Sequence, residues 1–149
     1  MTSSTAAGSA LAISVANPAT DDAAGYGALT YTEIGGIDKI GAVGAVFAKV
    51  EFQPLKGPKE KHKGSRDNGS LSPSLALDSE DAGQALLQTA ADDGTSKLYS
   101  FEVTYATGAK RYFQGRVFGM PETTDGADTI LMANPTVEIS TDIVKVPAA

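Results

Sequence analysis

The chain has 149 residues, 42% hydrophobic and 20% charged, with a formal net charge of −6, one histidine, no cysteine and no tryptophan. One domain with a substantial core is the expectation at this length. Without cysteine there are no disulfides, thiol nucleophiles or thiolate metal sites. One histidine cannot supply an HExxH pair, an acidic balance argues against binding dominated by nucleic-acid phosphates, and no apolar run reaches the ~18 residues of a membrane span.

The first residues, MTSSTAAGSALAISVANPAT, are small and polar and lack the basic segment and apolar core of a secretory signal. The expectation is a protein kept in the cytosol, or released by another route. Residues 1–25 read as a flexible N-terminal arm. Within it Leu11, Ile13 and Val15 alternate with small residues, a pattern that also suits a strand added to a sheet, its own or a neighbour's.

LTYTEI (29–34) reads as a strand, and GGIDKIGAVGA (35–45) as a glycine-rich connection. AVFAKVEFQ (45–53) alternates, with Val46, Ala48, Val50 and Phe52 on one face, and predicts a half-buried strand. Residues 54–69, PLKGPKEKHKGSRDNG, read as a long exposed basic loop. Lys56, Lys59, Lys61, Lys63 and Arg66 stand there against Glu60 and Asp67, beside the only histidine, His62. Nucleic-acid binding interleaves aromatics with such charges, and this segment has none. Two readings stand: a solvated hairpin tip, or a loop that docks on an acidic surface, another copy of this acidic chain included.

SLSPSLAL (70–77) alternates again, with Pro73 marking an edge strand or bulge. A helix is predicted over 79–91, capped by Asp78, with Glu80 and Asp81 at the positive end of its dipole. Ala82, Leu86 and Ala90, with Leu87, form its apolar face, and Gly94 suits the left-handed position beyond its end. Gly83 in its interior costs about 1 kcal/mol relative to Ala, which predicts a close packing contact there. LYSFEVTY (98–105) and KRYFQGRVF (110–118) read as a hairpin, GMPETTDGAD (119–128) as a turn-rich loop, and TILMANPTVEISTDIVKV (129–146) as strand, break at Asn134-Pro135, and strand. Residues 147–149 form a short tail. The sum is a mainly β fold, a sandwich or barrel of about six to eight strands with one helix, spanning 26–146.

No catalytic, metal or cofactor site emerges. Asp21-Asp22 lies in the arm, Asp78 to Asp81 opens the helix, and Asp92-Asp93 closes it. There is no GxSxG, P-loop or EF-hand spacing. A non-enzyme is expected.

The order of ALTYTEIGGI, the DNGSL strand (67–71), the DSEDAGQALL helix (78–87), the YSFEVT…YFQGRV hairpin and the closing VEISTDIVKV resembles the major tail tube proteins of long-tailed, non-contractile bacteriophages. The match runs from about residue 20 to 146. It implies a β-sandwich or barrel with one flanking helix, a long hairpin loop and extended terminal arms. It implies homohexameric rings stacked into a tube within the virion tail, assembled in the host cytoplasm. The other tail proteins (tape measure, tail terminator, distal tail protein) are then partners. Double-stranded DNA would pass through the channel without specific binding, repelled by acidic walls. Some relatives carry a further immunoglobulin-like domain, which is not expected here. On this reading Lys56, Lys59, Lys61, His62, Lys63 and Arg66 contact another subunit or ring, and Asp78, Asp81, Gly83 and Leu86 carry helix packing or a ring interface. Two other readings are a tube protein of a contractile or type VI secretion machine, and a stand-alone β-sandwich binding module. The lack of tryptophan and of an obvious aromatic platform argues against the module.

Overall fold

A computed structural model of the chain describes residues 3–148. The first two residues of the expected arm and the last of the expected tail lie outside that range. In chain order the elements are β1 (Ala10–Ser14), α1 (Ala23–Gly27), β2 (Thr32–Glu33), β3 (Ile37–Lys39), β4 (Val46–Phe52), β5 (Glu60–Asp67), β6 (Ser70–Leu71), β7 (Ser74–Ala76), α2 (Ala82–Asp92), β8 (Tyr99–Thr104), β9 (Lys110–Gly119), β10 (Glu122–Thr123), β11 (Met132–Ala133), β12 (Thr136–Ile139) and β13 (Val144–Val146). The expected long strands are broken into shorter ones, so the described strands outnumber the six to eight predicted.

Seven strands form the main sheet in the order β2-β1-β8-β9-β12-β6, with β13 also pairing β9. Four form a second sheet, β10-β11-β7-β3, and β4 and β5 make a separate pair. Two buried prolines, Pro73 and Pro135, sit where the chain leaves one sheet for the other. On one side β6 pairs β12 in the main sheet, with Leu71 opposite Val137. Beyond the prolines β7 pairs β11 in the second sheet, with Leu75 opposite Ala133. Proline lacks the N–H that would continue a ladder, so the two together turn a corner that joins the sheets.

The core lies under that corner. Leu11, Ile13, Leu71, Phe101, Val103, Phe113 and Val137 of the main sheet meet Leu75 and Ala133 of the second sheet and Leu87 of α2. Ile13 stands opposite Phe101, which stands opposite and stacks on Phe113 at 5.5 Å. Residues 10–14 are therefore not part of a flexible arm. Their apolar alternation completes the core face of β8, and burial of Leu11 and Ile13 favours this by roughly 2 kcal/mol per side chain. The stretch that follows crosses the other face. Ala16 O accepts from Ser100 Oγ at 2.7 Å, Asn17 Oδ1 accepts from Gln114 Nε2 at 2.8 Å, and Tyr26 of α1 stacks on Tyr112 at 5.4 Å. The main sheet is thus covered on both faces, which is why β8 and β9 bury polar as well as apolar positions.

The helix starts three residues later than predicted. Asp81, not Asp78, is its N-cap: Asp81 Oδ2 accepts from Gln84 N at 2.9 Å and also from Gly35 N at 3.0 Å. Asp78 instead holds the preceding turn, accepting from Glu80 N at 3.0 Å. Gly83, Gln84, Leu87 and Ala90 face inward, while Leu86 is half-buried. At the other end the cap is Asp93 in an extended conformation, and Gly94 does not take the left-handed one. The close contact expected at Gly83 is present: a Cβ there would lie 2.6 Å from Ile34 Cα and clash with the Glu33 carbonyl. Buried Gln84 ties three segments together. Its Nε2 donates to Gly35 O at 2.8 Å and Ala76 O at 2.9 Å, and its Oε1 accepts from Asp78 N at 2.9 Å. No described helix is long and apolar enough to cross a membrane.

Candidate functional site

The basic segment is mostly strand rather than loop. Over 60–67 it forms β5, antiparallel to β4, and only residues 53–59 remain as the tip. The register places Glu60 opposite Phe52, Lys61 opposite Glu51, His62 opposite Val50 and Lys63 opposite Lys49. It then shifts, so that Arg66 stands opposite Phe47 and Asp67 opposite Val46. Directly opposed residues share a face, so the hairpin has two unlike sides. One carries Val46, Val50 and Phe52 with Glu60 and His62. The other carries Phe47 and Glu51 with Lys49, Lys61, Lys63 and Arg66.

Both sides face solvent. Every residue of β4 is exposed, with Phe52 at 58%, and Leu55 at the tip is fully exposed. This overturns the half-buried strand expected over 45–53. The alternation was real, but its partner β5, EKHKGSRD, has no large apolar residue, so the pair cannot make a core. That missing complement is the signal in the sequence that would have revealed Val46, Val50, Phe52 and Leu55 as surface residues.

The cationic side is organised by short contacts. Lys49 and Lys59 each reach Glu51 at 3.0 Å, and these bonds, Lys49's first, hold the Glu51 carboxyl below its usual range. Lys63 lies 5.1 Å and Arg66 6.0 Å from the Phe47 ring centre, an arrangement worth about 0.5–1 kcal/mol each at exposed sites. His62 meets Glu60 at 3.3 Å within its own strand. Lys56 projects from the tip, where Gln53 Nε2 donates to Pro54 O at 3.0 Å and Gly57 O at 3.2 Å.

At the root, Gly69 adopts φ +84°, a conformation open to glycine, and its N–H donates to Asp67 Oδ1 at 2.8 Å. Arg66 pairs with Asp142 of the main body, and Asn68 Nδ2 lies 3.5 Å from the same carboxylate. The six basic-segment residues therefore share one projecting hairpin. Asp78, Asp81, Gly83 and Leu86 sit apart, where α2 packs on β9, β1 and β2. Asp81 and Gly83 serve packing within the chain, and the structure does not bring the two sets together.

Among the described residues no group of three His, Asp or Glu side chains is placed to hold a metal ion. An open groove of about 1140 Å³ runs between residues 4–9, 37–42 and 105–107, beside Ser70 and Ser72.

No protein-family model matches the sequence, and no curated protein matches it. Solved structures do share the fold. A chain in the cryo-EM structure of the anti-feeding prophage (AFP) baseplate, six-fold symmetrised, superposes with a TM-score of 0.71 at 6% identity, over 98% of this chain and 97% of that one. A chain of the PVC sheath/tube terminator of an extracellular contractile injection system, in its extended state, gives 0.66 at 8% identity over 99% of both. A chain of the extended PVC sheath-tube complex gives 0.61 at 9% identity, over 95% of this chain and 88% of that one. At these identities the likeness is one of fold, and the fold is tail-tube-like over nearly the whole length.

Proposed function

We propose that this chain is a structural subunit of a tail-like injection machine, and that copies of it associate into hexameric rings stacked as the machine's tube. The observation that carries the reading is the β4–β5 hairpin. An isolated two-stranded hairpin is marginal in water, and this one exposes an apolar face on one side and a cationic face on the other. Exposed apolar surface of this kind marks an association site. Joined to a fold shared with chains of sheath, tube and baseplate assemblies, it fits a subunit completed by its neighbours. The six-fold symmetry of the matched baseplate supports six copies to a ring.

Two homes suit such a subunit. In a long-tailed, non-contractile phage the tube conducts the genome into the host and belongs to the virion tail. In a contractile injection system the same unit lines a sheath. Two of the matched structures are of an extracellular contractile injection system, which favours the second home. Other tail proteins are partners in either.

Negative-stain electron microscopy across protein concentration, paired with solution mass, tests the reading. Six-membered rings and hollow tubes are expected. Single rings that never stack would favour a terminator role, like that of the matched sheath/tube terminator. A monomer at every concentration would sink the proposal. Neutralising Lys59, Lys61, Lys63 and Arg66 together is expected to block tube growth and leave the monomer folded. Full-length tubes from that variant at an unchanged rate would remove the hairpin's cationic face from assembly.

A further inference from the structure

We infer that the hairpin of one copy seats on the acidic loop 121–131 of the next copy. The inference rests on the self-assembly reading and names the surface that receives the hairpin. Residues 121–131, PETTDGADTIL, are all exposed. They carry Glu122, Asp125 and Asp128 with no lysine or arginine. Ile130 and Leu131 are 71% and 45% exposed. The loop has a shape: Thr129 N and Oγ1 both donate to Gly126 O, at 3.1 and 2.7 Å, and Glu122 and Thr123 pair with Ala133 and Met132.

The two surfaces match in chemistry. The tip end of the hairpin offers Lys56, Lys59 and Lys61 beside the fully exposed Leu55, and the loop offers three carboxylates next to Ile130 and Leu131. The chain's other acidic clusters lack this combination. Asp22 and Asp81 cap helices, Asp93 is held by Thr95 and Tyr99, and none of the large exposed apolar residues among those described flanks them in the sequence as Ile130 and Leu131 flank Asp128. Opposed charge sets register and approach, and the apolar contact supplies the burial.

Position makes the contact one between copies. The hairpin root lies where Ile139 N donates to Gly69 O at 3.0 Å, and the loop ends where Leu77 N donates to Leu131 O at 3.0 Å. These are the outer ends of two ladders, β6 with β12 and β7 with β11, which meet at the proline corner. Complementary surfaces on two separate parts of one molecule form a heterologous contact, which repeats from copy to copy instead of closing on a pair. The groove beside Ser70 and Ser72 lies at the hairpin's own end, and the opposite charges of Asp38 and Lys39 leave it no net attraction for the lysines.

The chain has no cysteine, so introduced thiols are unique. Leu55→Cys protein is mixed with Ile130→Cys protein, or with Thr107→Cys protein as the groove control, and treated with a short thiol-to-thiol cross-linker. Linked Leu55–Ile130 pairs are expected to exceed the control by roughly tenfold or more, as a bound pair raises the effective concentration. Equal yields, or preference for Thr107, would overturn the inference. Microscopy of the same samples reads the tube separately. Tubes without the Ile130 linkage leave assembly standing and remove this contact; the linkage without tubes does the reverse. As a second measurement, Asp125→Lys with Asp128→Lys is expected to suppress association, and Lys59→Glu with Lys61→Glu on the facing copy to restore it. Association unchanged by the loop reversal would also overturn the contact.

Discussion

The β8–β9 and β4–β5 hairpins begin from the same local pattern and end in opposite surroundings. In each, the first strand sets large side chains on one face: Tyr99, Phe101 and Val103 in β8, and Val46, Val50 and Phe52 in β4. In β8–β9 the second strand answers with Phe113 and Val117, the N-terminal strand adds Leu11 and Ile13, and the face is sealed. In β4–β5 the second strand answers with Glu60, His62, Gly64 and Asp67, and no other described residue covers the face. A strand's period says which side chains share a face. Burial depends on whether the facing strand and a second layer supply apolar surface of their own.

Truncating one aromatic in each hairpin sharpens the contrast and gives the largest expected effect. Phe101→Ala is expected to destabilise the monomer by about 3–5 kcal/mol, since it removes a fully buried ring stacked on Phe113. Phe52→Ala is expected to stay within about 0.5 kcal/mol and to impair assembly instead. Urea unfolding of the monomers and light scattering of the assemblies separate the two. A large loss of monomer stability from Phe52→Ala would mean that the hairpin packs on its own chain.

Much of the body was legible. The DAGQ helix, the close contact at Gly83, the β8–β9 hairpin and the breaks near Pro73 and Asn134-Pro135 follow from local chemistry, because capping, turn geometry and alternation act over a few residues. What was missed is non-local. Leu11 and Ile13 look like an ornament in a small-residue arm until Phe101 and Val103 are known to lie opposite. The lateness of the helix start has the same origin: Asp78 and Asp81 both suit an N-cap, and the choice falls to Asp81 because Gly35, far off in sequence, donates to it. The basic segment was correctly singled out by charge, but its strand was hidden, since EKHKGSRD has no apolar period and takes its conformation from pairing with β4.

A middle-sized effect tests the sealed hairpin through its second face. Tyr112, 5% exposed, lies between Tyr26 at 5.4 Å and Tyr31 at 5.9 Å, opposite Glu102. Burial first, and then the Glu102 carboxylate on the facing strand, push the Tyr112 phenol up to about 12; burial also raises Tyr26 and Tyr31. An unfolded tyrosine ionises near 10. Between these values the unfolded chain has lost a proton that the folded chain retains, so stability is intact below about pH 10 and falls from there to about 12. The Tyr112 contribution is on the order of 2–3 kcal/mol at the top of that window. Unfolding free energy measured from pH 8 upward should show this decline, and Tyr112→Phe should make it shallower, leaving the part carried by Tyr26 and Tyr31. A decline of the same steepness in Tyr112→Phe would assign the effect elsewhere.

The smallest effect concerns the root of the exposed hairpin. Arg66 is the one residue of β4 or β5 in an ion pair with the main body among the described residues, and its partner Asp142 is itself well exposed. Exposed pairs contribute about 0–1 kcal/mol, so Arg66→Ala should hardly move the unfolding midpoint. Its consequence is local. Without that tie, and with Gly69 as a pivot, the hairpin opens independently of the sheet, because stability is not uniform across a fold. Amide exchange in β4 and β5 should quicken in Arg66→Ala while exchange in β8 and β9 stays at the wild-type rate. Quickening in both hairpins would show that the projecting strands share the cooperative unit of the core, and the division between a sealed hairpin and one left for a neighbour would not hold.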